Sequence, residues 1–171
     1  MSAGDFERRV EKLREMAEKH DIDGFFIASE PNMRYFTGFS TLAIERLVAL
    51  IISTKPAEPI LVIPKLEEEK AKKLSFFKDV RTYTDAEGPG RIVSEIIKEL
   101  NLTEAVLGVE DTLPFKFYRM IREVAPSLGV KGASAIFESL RSIKSRGEIE
   151  VMNRAADITV KGIKAGIESI K

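Results

Sequence analysis

The chain has 171 residues, 44% hydrophobic and 32% charged, and its 27 Lys+Arg balance its 27 Asp+Glu. A net charge of +0 argues against a basic nucleic-acid footprint or a polybasic membrane patch. The lack of cysteine excludes disulfides, thiol catalysis and cysteine-ligated metals, and a single histidine leaves His20 as the only histidine base.

The length suits one ordinary domain with a closed core. The charged N-terminus has no signal-peptide pattern, and the longest apolar run, Leu47 to Ile52, is far short of the roughly 20 residues that span a bilayer. A soluble, cytoplasmic protein is expected. Phe6, Val10, Leu13 and Ala17 recur at helical spacing, with Asp5 expected as N-cap. Gly24 to Ala28 reads as a buried strand, and Pro31-Asn32 open a turn or short helix that Gly38 can end. Leu47 to Ile52 and Ile60 to Ile63 form a hairpin across a proline-containing turn. Pro64 starts a charged helix through Lys73, and Val80 to Tyr83 resumes a strand.

Ile92, Ile96, Ile97 and Leu100 mark the next helix, followed by a strand from Ala105 to Val109. Thr112 is expected to cap a helix with Pro114 in its first turn, and a further helix starts near Ser134. Strands separated by helices imply a three-layer α/β/α domain with a mixed, mainly parallel sheet. From Glu148 onward, Ile149, Met152, Ala156, Val160, Ile163, Ile167 and Ile170 define one stripe on a long helix. Two readings stay open for it: docking on its own sheet, or packing inside a further domain.

Candidate chemistry is sparse. His20-Asp21-Ile22-Asp23 places two carboxylates at strand spacing beside an imidazole, but further His or Glu ligands are wanting and a solvated turn accounts for it. Gly88-Pro89-Gly90 follows a strand and opens a helix, yet Val93 stands where a dinucleotide loop needs its third glycine. Glu67 to Lys73 reads as a solvated face with Glu68 over Lys72. No catalytic residue and no metal ligand is assigned.

Asn32-Met33-Arg34-Tyr35-Phe36-Thr37-Gly38-Phe39 resembles the Asn-x-x-Tyr-(Leu/Phe)-Thr-Gly-Phe fingerprint in the N-terminal domain of the creatinase/prolidase/aminopeptidase P family. Asp23-Gly24-Phe25-Phe26 is similar to that family's first strand, and Leu107-Gly108-Val109-Glu110 to its "iGvE" strand. Leu140 to Ile149 resembles the "LR-x-iKs-x-x-Ei" junction that leads into the catalytic domain. Read physically, Asn32 starts a turn, Tyr35 buries a ring with a polar tip, and Gly38 ends the turn left-handed. Thr37 shares the fingerprint, and mainly structural roles are expected for all four.

The resemblance implies a ribonuclease H-like N-terminal fold over residues 1–146, with 147–171 as linker and first helix of a catalytic domain outside this chain. It implies two divalent metals (manganese, cobalt or zinc) in that domain and none here. It also implies a homodimer and a proline-containing peptide substrate, with neither nucleic acid nor membrane as partner. The N-terminal domain would support the dimer and shape the active-site rim of an Xaa-Pro dipeptidase or aminopeptidase. Glu45-Arg46-Leu47 resembles an "ERL" of several proline dipeptidases, which makes Glu45 and Arg46 the rim candidates, Arg46 facing a substrate carboxylate. The rivals are a free-standing peptide-binding module of the same fold and the N-terminal domain of a creatinase-type hydrolase.

Overall fold

A computed structural model describes residues 3–41 and 45–170. Ser2–Leu140 form one compact unit and Arg141–Lys171 a second. The first unit begins with α1 (Ala3–Glu18), β1 (Gly24–Ile27) and α2 (Glu30–Thr37), then the hairpin β2 (Ala49–Ser53) and β3 (Ile60–Pro64). A single 3₁₀ turn, Lys65–Glu67, leads to α3 (Glu68–Leu74), β4 (Val80–Tyr83) and α4 (Gly90–Glu99). The unit continues through β5 (Val106–Val109), α5 (Phe115–Val124), β6 (Gly129–Gly132) and most of α6 (Ser134–Ser142).

The sheet order is β4-β3-β2-β1-β5-β6. Only β2 runs against its neighbours; β3/β4, β1/β5 and β5/β6 pair in parallel. The mixed, mainly parallel sheet is therefore as expected. Alternation along the central strands sorts side chains into two cores. Phe25, Ile27, Leu50, Ile52, Leu61 and Ile63 join the buried faces of α1, α2, α3 and α6. Phe26, Ala49, Ile51, Ile60, Val62, Leu107 and Val109 join those of α4 and α5. Each fully buried large side chain contributes about 1.5–3 kcal/mol. Burial on both faces explains why β1, β2 and β3 read as continuous apolar runs. Gly108 has no room for a side chain, because a Cβ there would lie 2.8 Å from the ring of Phe25.

Three local features differ from the sequence reading, two expected caps and one strand it did not foresee. Asp5 is not an N-cap: α1 already runs from Ala3, and Asp5 sits in its first turn, paired with Arg8 at 2.6 Å. Thr112 does not cap α5; Pro114 occupies the N-cap position. A residue before proline is driven from helical backbone, so no helix starts at Leu113, whose amide closes a turn onto the Glu110 carbonyl at 3.0 Å. Strand β6 is the third: Gly129-Val130-Lys131-Gly132 carries one large apolar residue and lies at a sheet edge, so it has no periodic signature.

In the second unit, α7 (Arg146–Ser169) opens with a full capping box. The Ser145 hydroxyl accepts from the Glu148 amide, and the Glu148 carboxyl accepts from the Ser145 amide at 2.8 Å. The expected stripe is present, and Ile149, Met152, Val160, Ile163, Ile167 and Ile170 are all exposed. Among the described residues, no helix is long and apolar enough to cross a membrane.

Candidate functional site

The parallel strands β1, β4 and β5 end together on one edge of the sheet, where the start of the Asn32–Phe39 fingerprint meets the end of the Leu107–Glu110 motif. Glu110, one residue beyond β5, is only 3% exposed. Its Oε2 accepts from the Ala28 amide at 2.8 Å. Its Oε1 accepts from the Ser29 amide at 3.0 Å, the Ser29 hydroxyl at 2.8 Å and the Asn32 side-chain amide at 3.0 Å. A buried carboxyl group is tolerated when such donors surround it, and these belong to the N-terminus of α2, where a helix offers unsatisfied amides. Pro31 in the first turn gives up no bond that the helix needs.

The other fingerprint residues extend the same construction. The Tyr35 hydroxyl donates to the Leu140 carbonyl at 3.1 Å, reaching the first residue of the junction motif. The Arg9 guanidinium lies 4.0 Å from the Tyr35 ring centre and donates to its carbonyl at 2.5 Å. The Thr37 hydroxyl contacts the Met33 carbonyl at 2.6 Å and accepts from the Phe39 amide at 3.0 Å. Gly38 closes α2 at φ 75°, and a Cβ there would stand 3.0 Å from Phe6 Cζ. Asn32, Tyr35, Thr37 and Gly38 thus hold α2 in place.

The rim candidates lie on the same edge but stand in water. Arg46 forms a bidentate pair with Asp85, Nε to Oδ1 and Nη2 to Oδ2, each at 2.7 Å. The two side chains are 47% and 60% exposed. Hydrogen bonding to Asp85 raises the Arg46 pKa, and the same bonds lower that of Asp85. The backbone on either side of Arg46 is pinned. Lys116 Nζ donates to the Glu45 carbonyl at 2.7 Å, and the buried Tyr83 hydroxyl donates to the Leu47 carbonyl at 3.1 Å. Burial raises the Tyr83 pKa, which keeps that hydroxyl a donor. Glu45 itself is exposed.

Other sequence candidates are not drawn into this edge. Asp23 accepts from the Val106 amide at 2.8 Å, tying β1 to the start of β5, while Asp21 takes a left-handed turn at φ 52°. Gly88 and Pro89 form the turn into α4. Among the described residues no group of three or more His, Cys, Asp or Glu side chains is arranged to hold a metal ion. Two residues bonded to these candidates were not singled out from the sequence. Glu110 ends a recognised strand motif, and its charge after an apolar run was the available signal; Asp85 had none.

Residues 9–143 match the sequence profile of the Creatinase/Prolidase N-terminal domain. The chain belongs to that family. It is 32% identical over 162 residues to an Xaa-Pro dipeptidase of Pyrococcus furiosus, a match covering 95% of this chain and 42% of the relative. The prolidase structure from Thermococcus sibiricus superposes with a TM-score of 0.85 at 28% identity, over 96% of this chain and 44% of that one. A creatinase/prolidase N-terminal domain of an X-Pro dipeptidase from Streptococcus pyogenes shares the fold alone, with TM-score 0.68 at 20% identity. This chain spans less than half the length of the full-length relatives it matches.

Proposed function

We propose that the chain is the non-catalytic N-terminal domain of an Xaa-Pro dipeptidase or aminopeptidase. Support comes from family membership and from relatives named Xaa-Pro dipeptidase. Hydrolysis of the proline-containing peptide would belong to a following domain that binds two divalent metals, manganese, cobalt or zinc. In this reading residues 1–146 form the family domain and 147–171 the linker and first helix of the next. The domain supports a cytoplasmic homodimer and forms part of the active-site rim.

Within the rim, Glu45 and Arg46 face the substrate, and Arg46 meets its terminal carboxylate. The observation that carries this role is the exposed guanidinium fork, already holding a carboxylate in bidentate geometry while its backbone is pinned. In the full-length protein, Arg46→Ala should lower kcat/KM for Xaa-Pro dipeptides roughly ten- to a hundredfold with an unchanged Tm. Unchanged kinetics would return Arg46 to a surface charge. The 171-residue chain alone should release no proline with any of the three metals, and metal-dependent release would overturn the division of labour. Ending the chain at Arg146 should leave the α/β unit folded; its unfolding would move the boundary.

A further inference from the structure

The pair between Arg46 and Asp85 joins two unlike properties. The peptide backbone at Arg46 is held from both sides, by Lys116 at Glu45 and by Tyr83 at Leu47. Tyr83 also ends β4, two residues before Asp85, so the bond from its hydroxyl to Leu47 fixes the two chain segments against each other. The charged groups themselves are exposed, so water, salt and solutes can reach the pair. Both donors on one edge of the guanidinium are filled by one carboxylate, in the arrangement a peptide's terminal carboxylate takes. Asp85 therefore stands where such a ligand would bind.

We propose that Asp85 is an internal competitor for the Arg46 fork: it occupies the guanidinium in the resting protein and yields to the terminal carboxylate of an incoming peptide. The inference rests on the reading of Arg46 as a carboxylate-facing rim residue and adds what sets its affinity. Asp85 lowers the apparent affinity of every ligand by the same factor, and the fork itself favours a full carboxylate, which alone binds well enough to replace one. An amide or alcohol supplies no second charged oxygen and leaves Asp85 in place.

The test is arginine side-chain NMR on the 171-residue chain, titrated with glycyl-L-proline and, separately, with glycyl-L-prolinamide. The Arg46 Nε–Hε signal should move with the dipeptide and not with the amide. In Asp85→Asn and Asp85→Ala the dipeptide should bind roughly two- to fivefold more tightly, the range released by removing one exposed competitor. Equal or weaker binding in both variants overturns the proposal, as does an Arg46 signal unmoved by dipeptide in either. Kinetics of Arg46→Ala in the full-length protein judge the rim role separately. Unchanged kinetics together with competition seen by NMR would reject that role and keep the competitor.

Discussion

Glu110 and Asp85 are carboxyl groups at the same edge of one sheet, and they do opposite work. Glu110 is buried and accepts four hydrogen bonds from the segment Ala28 to Asn32. Asp85 is exposed and meets the Arg46 guanidinium. Burial of the Glu110 carboxyl makes its bonds costly to lose, because water has little access to it. Exposure makes the Asp85 pair easy to exchange, because water and solutes can reach it. The family-like fingerprint thus packs against buried Glu110, while the Arg46–Asp85 pair beside it stands open to solvent.

The largest effect expected from breaking this contrast is at Glu110. Glu110→Ala leaves four donors without their acceptor, one of them buried and three partly buried, and should destabilise the chain by about 2–4 kcal/mol in urea unfolding. A loss below about 1 kcal/mol would show that the node does not hold α2. Gly38→Ala comes next. A left-handed backbone costs an L-residue about 1–2 kcal/mol, and the new Cβ would crowd Phe6, so a lowered urea midpoint with unchanged slope is expected. Tyr35→Phe should be milder, about 0.5–1.5 kcal/mol, since it keeps the ring and removes the hydroxyl that donates to Leu140.

The smallest effect belongs to the exposed charges of α3. Hydrogen bonds from Lys65 and Lys72 lower the Glu68 pKa from 4.5 to about 2. A folded value below the unfolded one means the stabilisation is present above pH 4.5 and is lost as pH falls towards 2. Replacing both lysines by alanine should return the Glu68 midpoint towards 4.5, as read by carboxyl NMR. A midpoint left near 2 would assign the shift to another cause.

The sequence discloses the platform more fully than the site for physical reasons. Strands β1 to β3 are buried on both faces, so their apolar runs stand out, and Pro31 and Gly38 mark the ends of α2 in a local code. Strand β6 hides because an edge strand of Gly-Val-Lys-Gly has no buried face to pattern. The box that starts α7 was legible as Ser145-x-x-Glu148, although apolar spacing alone placed the start at Glu148. Glu110 is visible only as a charge after a strand, because its partners lie about 80 residues earlier in the chain. Asp85 is one acidic residue in a polar turn, 39 positions from Arg46, and only folding reveals it.

Amide hydrogen exchange by NMR at neutral pH tests the contrast most directly, since one experiment reads both environments. The Ala28 and Ser29 amides, bonded to buried Glu110, should exchange as slowly as the core strand amides, while the Arg46 Nε–Hε proton should exchange rapidly. Rapid exchange at Ala28 and Ser29, or an Arg46 proton as protected as the core, would contradict the account.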